Sequence, residues 1–123
     1  MDHQIIYLQD VTMEDLAGIY KLADIFVYPS LFEGFGIPVI EAHFSKTVVV
    51  TSNVSCLPEA GGPDAMYINP KCVEDIKAKL LFLWENPSER QRREEASHRF
   101  ALDHFSDEKV AKDLQKVYHN LLA

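Results

Sequence analysis

Positive charge is scarce in this chain. Twelve Lys and Arg stand against nineteen Asp and Glu, for a formal net charge of −7. A nucleic-acid-binding domain carries a basic footprint, so this deficit speaks against nucleic acid as a partner. Cysteine is sparse too. Cys56 and Cys72 form no C-x-x-C pair and no disulfide framework, which suits a reducing cytoplasm. No apolar run approaches the ~20 residues of a transmembrane segment. The opening MDHQIIYLQD lacks a basic n-region and a long apolar stretch, so it does not read as a secretory signal. Internal repeats and low-complexity tracts are absent. What is present, 47% hydrophobic and 25% charged residues over 123 positions, is the composition of one ordinary soluble domain. That length buries one core and leaves no room for two full domains, so a function needing a cleft between two cannot be complete within it.

The charge is unevenly placed. Residues 1–60 hold eight acids and two bases, Lys21 and Lys46, whereas residues 61–123 hold eleven acids and ten bases. An anionic ligand on the first half would be met mostly by backbone amides or by groups outside this chain.

Strand-like and helix-like segments alternate. Ile5-Ile6-Tyr7-Leu8 reads as a short buried strand. Thr12 before Met13-Glu14-Asp15 is a helix-start signal, with Leu16, Ile19, Tyr20 and Ala23 on one face. Ile25–Tyr28 is a second strand, ended by Pro29; a glycine-bearing loop, Ser30 to Gly36, leads to a helix opened by Pro38 and running to about Phe44. The β-branched run Thr47–Thr51 reads as a buried parallel strand. Gly61–Asp64 is a turn and Met66–Ile68 a last short strand. Helices are expected over Val73–Trp84, Ser88–His104 and Asp107–Leu121. The order predicts an α/β fold with a parallel sheet and a helical tail.

The chemistry lies in PSLFEGFGIPVIEA, residues 29–42. In open α/β sheets, ligands sit outside the carboxyl ends of the strands. Glycines let the backbone approach a ligand closely, and the unpaired amides of a helix start favour phosphate oxygens. Gly34, Phe35 and Gly36 are therefore placed to donate N–H groups to a diphosphate. Glu33 and Glu41 bracket the loop. With Pro38 opening the helix, Glu41 falls about one turn in and leans back, so both carboxylates are expected at one mouth. Carboxylates repel phosphate but pair with vicinal hydroxyls, as on the ribose of dinucleotides. The combination fits a nucleotide-sugar.

This run, with its E-x7-E spacing, resembles the family-4 retaining glycosyltransferases (glycosyl transferases group 1) of the GT-B fold. The likeness continues through ADIFVYPS, through TVVVTSNVSCLPEAGGPDAMYINP and into the closing helices. It implies a Rossmann-like parallel sheet and a chain that is the later part of a donor-binding domain over residues 1–123. The acceptor-binding N-terminal domain and the first strands of the donor domain would be missing. It also implies transfer of a hexose from a nucleoside-diphosphate sugar with retention. Glu33 would act catalytically and, with the amides of Gly34, Phe35 and Gly36, hold sugar and diphosphate; Glu41 would bind the ribose. The family works without a metal or other cofactor, and no Asp-x-Asp pair argues otherwise. Because the Arg and Lys that face the diphosphate in the family have no counterpart here, the isolated chain is expected to be inactive. The chain departs from the family in having Lys46 and Val48 where Gly and Pro usually precede the next strand.

In a doubly wound sheet of order 3-2-1-4-5-6, Ile5–Leu8 would match strand 3 and Ile25–Tyr28 strand 4, with the strands between them missing. Either Ile5–Leu8 moves in to pair with Ile25–Tyr28, or a second chain covers the open edge. The alternative function is accordingly a non-catalytic module that self-associates or docks on a partner. An unrelated α/β regulator domain ranks behind both.

Other residues read more plainly. Phe32 and Phe35 are expected to pack the loop, Glu59 to tie down a turn after Pro58, and Trp84 with Leu80, Leu81 and Leu83 to be core. His3, His43, His98, His104 and His119 show no metal-ligand spacing. His104, Ser106 and Asp107 are neighbours in sequence only, which is no triad. Asn53-Val54-Ser55 matches a glycosylation sequon that has no meaning without secretion. Arg90, Arg92 and Arg93, interleaved with Glu89, Glu94 and Glu95, read as a solvated helix face.

Overall fold

The computed structural model describes residues 4–123, so His3 lies outside the described residues. Its elements, in chain order, are α1 (Met13–Leu22), β1 (Ile25–Tyr28), α2 (Ile37–Phe44), β2 (Val48–Ser52), α3 (Leu57–Gly61), β3 (Met66–Ile68), α4 (Val73–Glu85), α5 (Pro87–Phe105) and α6 (Asp107–Leu122). The sheet is parallel with order β1-β2-β3. Ile25 pairs with Val48, Tyr28 with Thr51, and Val50 with Met66.

Strand periodicity sorts the core into two layers. Phe26, Tyr28, Val49 and Tyr67 face α1, α2 and α3, where Tyr20, Val39, Ile40, Leu57 and Ala60 are buried. Val48, Val50, Met66 and Ile68 face the other way, onto Leu83 and Leu80 of α4. Every residue of β2 is buried, as a central parallel strand covered on both faces requires. Helix α1 opens on a capping box in which Thr12 Oγ1 accepts from the Asp15 amide and the Asp15 carboxylate accepts from the Thr12 amide.

Helix α2 closes in a Schellman motif, the Thr47 amide reaching back to Ala42 O and the Lys46 amide to His43 O. Lys46 holds the left-handed position at φ 57°, where glycine is the unstrained residue.

The structure corrects several expectations. Ile5–Leu8 forms no strand; the segment has no regular secondary structure and all four side chains are exposed. A strand is stabilised by its ladder partner, and Ile5–Leu8 pairs with none. Nor does it move in beside β1, whose outer edge is open among the described residues. The segment around Pro58 is a short helix, α3, rather than a bare turn. There Glu59 is exposed, and the tying is done by the Pro58 carbonyl, which accepts from the Gly62 amide, and by the Tyr67 hydroxyl, which donates to the Gly62 carbonyl at 2.5 Å. Trp84 is 63% exposed and Leu81 45%, so neither is core, although Leu83 on the same helix is fully buried. Phe32 is 80% exposed, too open to pack the loop, whereas Phe35 meets Phe105 edge-on at 5.8 Å.

The arginines of α5 are also more than a solvated face. Arg93 donates to Asp64 O and to Glu89, and Arg90 to the Leu83 and Trp84 carbonyls at the end of α4. Arg92 and Arg93 hold the Glu89 carboxyl down at about 2. His104 bonds the Phe100 carbonyl and Ser106 caps α6, so the two have separate structural tasks. Both cysteines are free thiols.

Candidate functional site

The loop between β1 and α2 begins at the carboxyl end of β1. Gly36 is the N-cap of α2 in the left-handed region at φ 91°, and a Cβ there would lie 2.9 Å from Leu57 Cδ2. Only glycine lets the chain turn here and still pack against α3. Pro38 occupies the second helical position rather than the first, Ile37 preceding it. The amides of Gly34, Phe35 and Gly36 donate to no group among the described residues. Gly36 is the N-cap of α2, and Gly34 and Phe35 lie just before it, so these free amides lead into a helix start, a setting that suits anionic oxygens.

Glu33 is fixed at both its side chain and its backbone. Its Oε1 accepts from the Tyr28 hydroxyl at 2.6 Å and the Ser30 hydroxyl at 2.8 Å. Its carbonyl accepts from Ser55 Oγ at 3.0 Å and Cys56 Sγ at 3.3 Å, so the loops after β1 and β2 meet at this residue. The Tyr28 hydrogen bond, then that of Ser30, holds the Glu33 carboxyl below its ordinary range. In return the Tyr28 phenol is pushed up to about 12, chiefly by its bond to Glu33.

Glu41 is held separately. Its Oε2 accepts from the Tyr20 hydroxyl at 3.0 Å. Burial, followed by the bond to Glu41, raises the Tyr20 phenol well above its usual value. Glu41 borders a cavity of about 240 Å³ between α1 and α2, with Met13, Leu16, Ala17, Tyr20 and Phe44 on its apolar wall. Glu33 does not line that cavity. Glu33 and Glu41 are thus held by the two tyrosines of an aromatic ladder. Tyr20 meets Phe26 edge-on at 5.1 Å, and Phe26 stacks on Tyr28 at 5.9 Å.

Sequence reasoning named the glutamates and the glycine loop but missed Tyr20, Tyr28, Ser30, Ser55 and Cys56. The period-two pairing of Phe26 with Tyr28 was a usable signal for the ladder. The reach of each hydroxyl to a carboxylate was not, since it depends on how α1 sits on the sheet. His43 takes no part in the loop; it is fully buried on α2, with Nε2 3.1 Å from Gly61 O. Among the described residues no three His, Cys, Asp or Glu side chains gather as metal ligands, and no helix is long and apolar enough to cross a membrane.

Residues 1–100 match the model of the family described as glycosyl transferases group 1. The chain belongs to that family. Among the relatives of this chain is the MMP α-(1→4)-mannosyltransferase of Mycolicibacterium hassiacum, 36% identical over 89% of this chain and 28% of the relative. O-antigen chain mannosyltransferase B of Escherichia coli is 42% identical over 71% of the chain and 23% of its own length. A glycogen synthase of Mycobacterium tuberculosis is 31% identical over 85% and 26%. The sequence thus spans less than a third of each of these relatives. Two solved structures superpose with a TM-score of 0.80. One is a glycosyltransferase from Rickettsia africae, with 20% identity over 88% of this chain and 30% of that one. The other is the sucrose-phosphate synthase of Thermosynechococcus elongatus, with 24% identity over 89% and 28%. At those identities the match establishes the fold, a GT-B type α/β architecture.

Proposed function

We propose that these residues form the nucleotide-sugar half of a hexosyltransferase site, used for transfer with retained anomeric configuration. The observation that carries the reading is the glycine loop at the carboxyl end of β1, with unpaired amides leading into α2 and an anchored carboxylate at each end of the motif. Glu33 accepts from donor-sugar hydroxyls beside the reacting carbon. The amides of Gly34, Phe35 and Gly36 and the start of α2 take the diphosphate, and stabilise it as it leaves. Glu41 accepts from the ribose diol. The donor is a substrate, and the reading assigns no metal or cofactor. The names of the relatives make mannose and glucose the first sugars to test.

The 123 residues are proposed to be inactive alone, because the loop supplies dipoles and no cation for the diphosphate. The test is titration with UDP, GDP, UDP-glucose and GDP-mannose, following backbone amides by NMR. Saturable shifts at Gly34, Phe35 and Gly36 that disappear in Glu41→Ala are expected. No shift at millimolar ligand would refute the reading.

One observation favours a second reading, self-association. Among the described residues the outer edge of β1 is open, and beside it Ile25, Leu80, Leu81 and Trp84 line a largely apolar groove. Sedimentation velocity over a hundredfold concentration range would then show a dimer that Trp84→Lys abolishes. A monodisperse monomer at every concentration would end this reading.

A further inference from the structure

The two glutamates are held by the same device, built twice. Thr47 Oγ1 donates to the Tyr20 carbonyl at 2.6 Å, and Tyr20 donates its phenol proton to Glu41. Thr51 Oγ1 donates to the Tyr28 carbonyl at 2.9 Å, and Tyr28 donates its phenol proton to Glu33. Both threonines are fully buried, or nearly so, on one segment at the centre of the sheet. Each tyrosine is thus pinned at its backbone by a threonine and at its ring by Phe26. A phenol has one proton to give, and in each relay it goes to a single carboxylate oxygen. The other oxygen of Glu41 accepts no side-chain donor among the described residues, and the same holds for Glu33.

We propose that Tyr20 and Tyr28 are positioning residues that orient Glu41 and Glu33, each leaving one carboxylate oxygen to accept hydroxyls of the donor. This rests on the donor-site reading above, which gives Glu33 to the sugar and Glu41 to the ribose, and adds to it the groups that hold the two carboxylates. The Tyr28 relay serves the sugar, and the Tyr20 relay serves the nucleoside. A preorganised acceptor loses little freedom on binding, which is where such anchoring improves recognition. Because Phe26 touches both rings, displacing it loosens both carboxylates at once.

The test uses Tyr28→Phe, Tyr20→Phe and Phe26→Leu in the full chain, with GDP, GDP-mannose, UDP and UDP-glucose as probes. Loss of one anchoring hydrogen bond is expected to weaken binding about tenfold where the oriented carboxylate is used. Tyr28→Phe should weaken the sugar nucleotides and leave GDP and UDP unchanged. Tyr20→Phe should weaken all four probes alike. A variant that merely loosens the fold would not separate the probes in this way. A second measurement needs no ligand: the side-chain carboxyl ¹³C titration of Glu33, which should move up towards the ordinary glutamate value in Tyr28→Phe and stay put in Tyr20→Phe. Wild-type binding with an unmoved Glu33 titration, or equal losses for sugar and free nucleotides in Tyr28→Phe, overturns the proposal alone. No wild-type binding of any probe overturns the donor-site reading, and the assignment of the relays with it.

Discussion

Gly34 and Gly36 stand two residues apart in the loop, yet the structure makes them unequal. At Gly36 an alanine would have to hold φ 91° and place its Cβ 2.9 Å from Leu57 Cδ2 and 3.4 Å from Ala60 Cβ. Leu57 and Ala60 are fully buried, so neither has free space to move into. The left-handed backbone costs an L-residue about 1–2 kcal/mol, and overpacking a tight core adds about 1–3 kcal/mol. Reduced freedom of the unfolded chain returns about 0.4–1 kcal/mol. Gly36→Ala should therefore destabilise by about 2–3 kcal/mol. A Cβ on Gly34 meets nothing within 4 Å, and Gly34 is not in the left-handed region. Gly34→Ala should therefore stay within about 0.5 kcal/mol of the parent. Urea unfolding decides between them: with a slope near ~1.5 kcal/mol per molar, Gly36→Ala should lower the midpoint by about 1–2 M. Equal midpoints for the two variants would show that the close approach of α2 and α3 does not hold in solution.

Three further outcomes are expected. Lys46→Gly removes left-handed strain of about 1–2 kcal/mol at the end of α2 against a smaller unfolded-state cost, so it should raise stability by about 0.5–1 kcal/mol in urea melts. Burial lowers His43 from 6.5 to about 4, so the unfolded chain binds more protons between those values. Stability is then full above about pH 6.5 and falls through that window to about pH 4. The loss approaches about 3 kcal/mol, and His43→Gln should flatten that part of the pH–stability curve. Arg93→Ala removes bonds to the Asp64 carbonyl and to Glu89 from a mostly buried side chain, and should cost about 1–2 kcal/mol by thermal unfolding, with Lys a poor substitute for the forked donor.

Much of the architecture could be read directly from residue patterns. The β-branched run Val48-Val49-Val50-Thr51 could bury itself only as a central parallel strand, and Thr12 with Asp15 could only open a helix. Pro38 and the two glycines marked the loop and the start of α2 to within a residue. These features are local: dihedral preference, hydrogen-bond capping and side-chain period act over a few neighbours, so the order of residues carries them. Ile5–Leu8 shows the limit of such patterns. Its composition is that of a strand, but pairing is a relation between segments, and the segment finds no partner. Trp84 shows it again: its apolar character suggests core, but it shares a helix face with Leu80 and Leu81 beside the sheet edge and is left exposed there.

The candidate site divides along the same line. Which residues are candidates for the chemistry, Glu33 and Glu41 around a glycine loop, is a property of the sequence, because spacing along a loop and one helical turn determines where they fall. How those carboxylates are held is a property of the fold. Tyr20 comes from the helix before β1, Tyr28 from β1 itself, and Thr47 and Thr51 from the run that forms β2. Their hydroxyls reach the carbonyls and carboxylates only once β1 and β2 are in register and α1 packs across Phe26. Hydrogen bonds act over about 3 Å and tolerate little misalignment. Contacts of that precision between residues up to 27 apart in the chain are decided by tertiary packing alone.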